Sequence, residues 1–525
     1  MGRKKKIRED GGMADALDSG SSVHTDVRVQ IPFLAPKQKM KRKAEIKMKN
    51  STTNSGSNSK LENFKTNMKG LKVAVLGIGI SHTPLVRFLY KLGAKITVFD
   101  AAEESKIAKK IVEFEDLEIE FSFGENYLSE LKNGFDFIFR TPGMRPDVPE
   151  LVDAVNSGAF LTSEMEVFMK LCPAQVFGVT GSDGKTTTTT LISKMLEAEG
   201  YKCWTGGNIG TPLLDKIEEI EVDDKVILEL SSFQLMTMKK SPNVAVITNI
   251  SPNHLDYHKS YREYVEAKKN IFLNQTLDCN QNKSRVVLNF DCPDTRDMKS
   301  EISTSMTELI WFARTTKLDA GVWVEDGWII YNGYKIMKTS DICIPGEHNV
   351  ENYLAAIAAT AGYVSVNSVL KIAREFQGVE HRLEFVRELN GVKYYNDSIA
   401  SSPSRTSAGL HSFGQPIILL AGGKDKGIPY DDFGETIARC CKKVILIGAT
   451  ADKIHESLNN YVKESGEGKE IEIFRCSTYA DLVRTAQKIA DPGDIVMLSP
   501  ASTSFDMFTN FEERGKVFKE LVNKL

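Results

Sequence analysis

The chain has 525 residues, 41% of them apolar and 26% charged, with eight cysteines and a formal net charge of −3. At roughly 100–200 residues per domain this length predicts three or four domains, and the composition excludes a collagen, a coiled-coil rod and a disulfide-stapled miniprotein. No run approaches the ~20 apolar residues of a membrane-spanning helix, and the basic first residues are not followed by the apolar core of a secretory signal.

The charge is unevenly spread. Residues 1–69 hold 16 Lys/Arg against 7 Asp/Glu, leaving 51 against 63 for the remainder. An acidic body argues against a nucleic-acid partner. Residues 1–69 lack sustained apolar periodicity, include a basic run at 37–49 and a polar low-complexity stretch at 51–60, and are expected to form a disordered tail. Residues 12–36 resemble the conceptual translation of a transfer-RNA gene, so true initiation is expected at Met40, Met48 or Met68. The cysteines form no CxxC pair. They read as reduced thiols of a cytoplasmic protein rather than a zinc cage.

Residues 71–77 (LKVAVLG) form a short apolar run ending in glycine. A helical pattern at 83–92 and a strand at 95–100 complete a parallel βαβ unit. The turn Gly77-Ile78-Gly79-Ile80-Ser81-His82 lacks the third glycine of GxGxxG, and Asp100 ends the next strand. That pattern fits NAD or any nucleotide diphosphate. A strand at 135–140 ends at Thr141-Pro142-Gly143, and further strands are expected at 175–180, 225–230 and 244–249. A third alternation begins near 378, with strands at 416–421, 443–448 and 494–499. The expected architecture is three tandem α/β domains: a Rossmann-like domain (70–163), a central P-loop ATPase-type domain (164–378) and a C-terminal Rossmann-like domain (379–525).

Gly181, Ser182, Asp183, Gly184, Lys185, Thr186 and Thr187 follow a strand and open a helix. Glycines let backbone N–H groups curl around phosphate oxygens, and the helix N-terminus adds favourable charge. Lys185 can reach the β/γ phosphates of ATP and the Thr186 hydroxyl can ligate Mg²⁺. Glu229 ends the strand at 225–230, while His254 and Asp256 lie just past the strand at 244–249. Ligands of open α/β sheets collect at strand carboxyl ends, so Glu229 and His254 are expected to face the loop as metal ligands.

Together with these motifs, GGNIGTPL (206–213), ELSSFQL (229–235), TNISPNHLDYH (248–258), EAKKNIF (266–272), PGEHNVENYLAA (345–356), GVEHRLEFV (378–386), YYNDSIASSP (394–403), LLAGGKDKG (419–427) and LSPASTSFDMFTNFEERGKVF (498–518) run in order through residues 70–525. The chain thereby resembles the Mur ligases, ATP-dependent enzymes that add amino acids to the peptidoglycan precursor. The C-terminal motifs resemble the member that adds D-glutamate. The resemblance implies a cytoplasmic monomer that joins D-glutamate to UDP-N-acetylmuramoyl-L-alanine through an acyl phosphate and a tetrahedral intermediate, with ATP and two Mg²⁺ sites. Another amino-acid ligase of the Mur/folylpolyglutamate superfamily is the alternative. An NAD-dependent oxidoreductase built on Gly77 and Gly79 would leave the phosphate loop, Glu229 and His254 unused.

The resemblance also implies roles. Lys185 stabilises the transferring phosphoryl group, Thr186 and Glu229 hold Mg²⁺, and His254 helps to hold a second Mg²⁺. Lys268 falls where the family carries a carbamylated lysine, with the adjacent Lys269 as an open register. Asn349 and Asn352 fall on the adenine side, where a side-chain amide offers a donor–acceptor pair. Arg382 falls at the ATP phosphates and Asp397 at the ribose side. Ile80, Ser81, Thr141, Pro142 and Gly143 fall at the uridine diphosphate, and Asn208 at the muramoyl group. Lys426, Ser504, Phe505 and Phe511 fall at D-glutamate. Ile399 departs from the family, many members of which carry a lysine there, and Arg405 is the candidate replacement.

Overall fold

The structure, a computed structural model, describes residues 59–79, 81–277 and 281–525. The transfer-RNA-like segment, Met40, Met48 and Ile80 lie outside the described residues. Where the expected disordered tail overlaps them, the expectation is corrected. Ser59–Met68 forms helix α1, whose Leu61, Phe64 and Met68 are buried on one face, a spacing of one helical stripe. Phe64 stacks on Phe88 at 6.4 Å, and Lys65 bonds Glu62 at 2.9 Å and also pairs with Glu218. Ten residues carry too few turns to stand out from a polar tail.

Three sheets follow in chain order. The first contains β1 (Lys72–Leu76), β2 (Lys95–Asp100), β3 (Glu120–Phe123), β4 (Phe137–Arg140) and β5 (Phe160–Thr162), in the all-parallel order β3-β2-β1-β4-β5. The second contains β6 (Gln175–Thr180), β7 (Cys203–Gly207), β8 (Lys225–Glu229), β9 (Val244–Ile247), β10 (Ser284–Asn289), β11 (Thr307–Ala313), β12 (Val322–Glu325), β13 (Trp328–Tyr331) and β14 (Tyr334–Lys338). Its order is β14-β13-β12-β11-β10-β9-β6-β8-β7, with antiparallel pairing only through β12, β13 and β14. The third contains β15 (Glu384–Leu389), β16 (Val392–Asn396), β17 (Ile417–Ala421), β18 (Cys441–Leu446), β19 (Glu472–Arg475) and β20 (Ile495–Leu498), in the order β15-β16-β20-β17-β18-β19. Only β15 runs antiparallel to its neighbour.

The central strands are continuous apolar runs because helices cover both faces of a parallel sheet. KVAVL, VAVI and IILLA are buried over nearly every residue. On one face of the second sheet, α2 (Lys185–Glu199) and α3 (Glu347–Thr360) pack with Leu191, Met195, Tyr353 and Ile357 buried. The core of its other face is shared with the first domain and α1. β6 lies between β8 and β9, so the carboxyl ends of these three strands deliver the phosphate loop, Glu229 and the 248–258 segment to one place.

Candidate functional site

The phosphate loop is shaped by what crowds its glycines. Gly181 and Gly184 have φ of +148° and +77°, where side chains are disfavoured. A Cβ on Gly181 would run into Thr248 Oγ1, and one on Gly184 into the Asn352 amide oxygen. Ser182 Oγ lies 2.9 Å from the Ser251 carbonyl and 2.8 Å from the Tyr264 hydroxyl, and Asp183 N–H donates to Asn249 Oδ1 at 2.9 Å. Thr187 is buried behind the loop. Lys185 folds back and donates to the carbonyls of Gly181 (2.9 Å) and Ser182 (2.8 Å). Burial lowers its pKa, the carboxylates of Glu229 and Asp183 oppose this, and the charges of Arg382 and Arg405 add to it.

Beside the loop, the Thr186 hydroxyl donates to Glu229 Oε2 at 2.7 Å and the Asn208 amide to Glu229 Oε1 at 2.8 Å. Glu229 is buried. A hydroxyl and a carboxylate at a phosphate loop suit Mg²⁺, which is usually completed by substrate phosphates and water rather than by an all-protein cage. Among the described residues no three His, Cys, Asp or Glu cluster as such a cage. The two adjacent lysines differ sharply. Lys268 is 2% exposed, donates to Thr180 Oγ1 (3.2 Å) and the Gly181 carbonyl (2.7 Å), and lies over the Tyr264 ring. Burial, aided by the nearby Lys185 charge, drives its pKa well down. Lys269 instead pairs with Glu266 at 2.9 Å and Glu301 at 2.6 Å, and its pKa is raised. His254 adopts a left-handed φ of +54° and packs against Phe233, with 4.9 Å between ring centroids. Burial first, then the Lys185 charge, lowers its pKa.

Asn349 and Asn352 are buried on α3 and linked at 3.0 Å, and Asn352 Oδ1 accepts from Thr188 on α2 at 3.2 Å. The pair is thereby tied to the phosphate loop. Arg382 approaches from the C-terminal domain, where its charge adds to the lowering of Lys185 and of His348. Asp397 is engaged internally: it accepts from Ser499 Oγ (2.7 Å) and Leu383 N–H (3.2 Å), and burial pushes its carboxyl up to about 7. The charge of Arg405 reaches Lys185, His254 and Asp397, while Ile399 N–H donates to the His381 carbonyl at 3.1 Å. Farther out, Ser504 is buried, Phe505 is 56% exposed, and Lys426 stands exposed. Phe511 joins this region through its carbonyl, which accepts from Ser398 Oγ at 2.7 Å.

The first domain contributes a cleft of about 280 Å³ lined by Ser81, Thr141, Pro142, Glu164, Asn208 and Gln234 among others. It brings three of the expected diphosphate residues to the expected muramoyl contact; Gly143 is not in its lining. Asp100 holds the glycine turn itself, accepting from Ile78 N–H (2.8 Å) and Ala102 N–H (2.9 Å).

Sequence reasoning missed several participants. Thr248 and Asn249 brace the loop, and their place just past β9 was the available signal. Arg514, 1% exposed, donates to Ser398 Oγ (3.0 Å), the Ser398 carbonyl (2.7 Å) and the Ser502 carbonyl (3.0 Å). It is a lone arginine on the buried face of the final helix, Phe511–Asn523. His82 and Glu164 in the cleft had no sequence signal beyond proximity to the glycine turn and to a helix start.

Comparison with known proteins agrees with this layout. Residues 71–163 match the Mur ligase MurD-like N-terminal domain, 179–360 the Mur ligase middle domain, and 381–502 the Mur ligase glutamate ligase domain. The chain is 57% identical over 472 residues to a UDP-N-acetylmuramoylalanine--D-glutamate ligase of Ruminiclostridium cellulolyticum, covering 89% of this chain and 100% of that protein. It is 56% identical over 472 residues to the like-named protein of Acetivibrio thermocellus, covering 89% and 99%. Among solved structures, UDP-N-acetylmuramate-alanine ligase MurC of Thermotoga maritima shares the fold, with a TM-score of 0.52 and 19% identity over 86% of this chain and 99% of that one.

Proposed function

We propose, from the premise that the chain belongs to the Mur ligase family, that it joins D-glutamate to UDP-N-acetylmuramoyl-L-alanine while converting ATP to ADP and phosphate, in cytoplasmic peptidoglycan precursor synthesis. The enzyme is an ATP-dependent ligase. Relatives at 57% and 56% identity carry this activity in their names. The observation that carries the reading is one continuous path: the cleft at Ser81 and Thr141 runs to Asn208, which bonds Glu229, which bonds Thr186 beside the phosphate loop. In this reading the working unit is a monomer. No described helix is long and apolar enough to cross a membrane.

In this reading the substrate carboxylate attacks the γ-phosphorus of ATP, the bond to the bridging oxygen breaks, and ADP leaves. The amine of D-glutamate then attacks the acyl-phosphate carbonyl, and the tetrahedral intermediate loses a proton and expels phosphate. Lys185 moves its ammonium from two backbone carbonyls to the phosphoryl oxygens, where charge builds up in transfer. Mg²⁺ held by Thr186 and Glu229, and a second held by His254 and Lys268, would supply positive charge that lets two anions approach. Lys268 would meet that role as a carbamate: its amine, whose charged form burial disfavours, would bond to the carbon of CO₂ and release one proton. Asn349 and Asn352 take the adenine edge, and Arg382 the phosphates, with Asp397 on the ribose side. Ile80, Ser81, Thr141, Pro142 and Gly143 hold the uridine diphosphate, and Lys426, Ser504, Phe505 and Phe511 hold D-glutamate.

Oxygen labelling tests this. With ¹⁸O in the alanine carboxylate of the nucleotide substrate, the released phosphate is expected to carry the label. Unlabelled phosphate would overturn the acyl-phosphate route.

A further inference from the structure

Three segments carry the metal ligands assigned above: β8 ends in Glu229, the 248–258 segment holds His254, and the helix Tyr261–Lys269 holds Lys268. All three reach His258, a residue the phosphate chemistry leaves unused. His258 is 2% exposed, and so is Ser232. The imidazole Nε2 lies 2.9 Å from Ser232 Oγ, at the start of the short helix Ser232–Leu235 that follows Glu229. The His258 N–H donates to the His254 carbonyl at 3.0 Å, as the Tyr257 N–H does at 3.1 Å, which closes a turn on His254. The ring stacks on Phe233, with 5.7 Å between centroids and 12° between planes. It meets Tyr264, on the helix of Lys268, edge-on at 5.4 Å.

The bond to Ser232 has no substitute. Among the described residues, no other side-chain hydrogen bond joins 254–258 to 229–235. The other ring nitrogen, Nδ1, is buried without a partner, 3.5 Å from Glu263 Oε2. A serine hydroxyl can donate or accept, so the bond stands in either neutral tautomer. The remaining side-chain bonds of the turn run to the first domain. The Tyr257 hydroxyl faces the carbonyls of Pro142 (3.1 Å) and Met144 (3.2 Å), and Arg145 donates to the Tyr257 carbonyl at 2.7 Å. Without Ser232, these bonds would tie the turn to the first domain and leave its distance from Glu229 to ring packing alone.

We propose that His258 is a positioning residue: through Ser232 it fixes the His254 turn against the strand end that carries Glu229, and so sets the spacing of the metal site. The proposal rests on the metal roles given above to Glu229 and His254. Mg²⁺ demands near-ideal geometry, and removing a group that orients ligands from behind typically costs about 10–100-fold in metal affinity.

The test is Mn²⁺ binding in the presence of ADP, read by electron paramagnetic resonance, beside the melting curve and the Mg²⁺ dependence of phosphate release. The double variant His258→Phe, Ser232→Ala keeps a stacked ring and removes both halves of the bond, so neither partner is left buried and unbonded. It is expected to melt near wild type yet bind the weaker Mn²⁺ about tenfold less tightly, with a like rise in the Mg²⁺ concentration for half-maximal phosphate release. His258→Gln can reach Ser232 with its amide and should stay within about threefold of wild type on both. Ser232→Ala breaks the same bond without touching the ring, so it decides the matter if the double variant does not fold, and the same tenfold loss is expected. Tyr261→Phe removes a hydroxyl bonded to Asp294 at 2.8 Å and should change neither quantity. Wild-type Mn²⁺ affinity in the double variant or in Ser232→Ala would reduce the bond to packing and overturn the proposal, as would an equal loss in Tyr261→Phe. A folded wild type that binds no Mn²⁺ in the presence of ADP would overturn the metal-site reading itself.

Discussion

The two junctions between domains are built from different material. Between the first and central domains a single apolar cluster runs from Leu61 and Phe88 through Val167 and Phe168 to Leu213, Ile217 and Val226. Arg140, 1% exposed, seals it by donating to the carbonyls of Thr141 (3.2 Å), Pro142 (3.0 Å), Met144 and Phe233 (3.2 Å) and to Thr237 Oγ1 (3.3 Å). Arg145 adds Glu263 at 2.9 Å and the Tyr257 carbonyl at 2.7 Å. Around the third sheet, by contrast, both apolar clusters draw on residues 383–525 alone. What meets the central domain there is positive charge: Arg382 and Arg405 both depress Lys185. A sealed junction fixes the cleft at Ser81 and Thr141 relative to the phosphate loop. A cationic junction lacks cohesion until an anion such as ATP fills it, so the C-terminal domain is the part expected to close on substrate.

Mutations at the two junctions should therefore fail differently. Lys185→Ala is expected to cut phosphate release by about 10³-fold or more while leaving the unfolding curve nearly unchanged. Arg140→Ala should do the reverse, costing about 3 kcal/mol in chemical denaturation because several buried carbonyls lose their donor; an unfolding midpoint like that of wild type would show the sealed junction to be overrated. Lys268→Ala should lose about 10²-fold in activity and Lys269→Ala less than about threefold, with wild-type activity falling in CO₂-depleted buffer and returning with bicarbonate. Arg405→Ala is expected to raise KM for ATP about tenfold. Small-angle scattering would register its effect as a weaker nucleotide-induced compaction, and superimposable curves with and without nucleotide would contradict closure altogether.

The smallest effect is a pH dependence at the sealed junction. The Arg145 guanidinium, with Lys259, holds the Asp147 carboxyl well below the usual carboxylate range. A depressed carboxyl adds stability above its unfolded pKa and loses it as pH falls through the folded value. The stability gap between wild type and Asp147→Asn should thus be under about 1 kcal/mol above pH ~5 and shrink below pH ~4. A gap that grew on acidification would reverse the sign assigned to this pair.

What the sequence disclosed follows from how locally each feature is encoded. β2 and β6 were legible to the residue because a buried parallel strand is a bounded apolar run. Lys185, Thr186 and Glu229 were legible because a strand, a turn and a helix start fix their common location. The short strands β12, β13 and β14 were not anticipated. Nor was α1, whose apolar face is satisfied only by residues far along the chain. Lys268 and Lys269 could not be separated by sequence, since their difference is burial against two distant carbonyl or hydroxyl groups in one case and surface ion pairs in the other. Arg140 stayed hidden for the same reason: its bonds to Phe233 and Thr237 exist only once two domains are packed.

The most direct test of the whole account is phosphate release from ATP and Mg²⁺ with UDP-N-acetylmuramoyl-L-alanine and a panel of amino acids that includes both glutamate enantiomers. The account predicts release with D-glutamate and none with the others. Release with a different amino acid would leave the phosphate-loop chemistry standing and contradict the pocket at Lys426, Ser504 and Phe511. No release with any amino acid, from a folded protein that binds ATP, would contradict the ligase assignment itself.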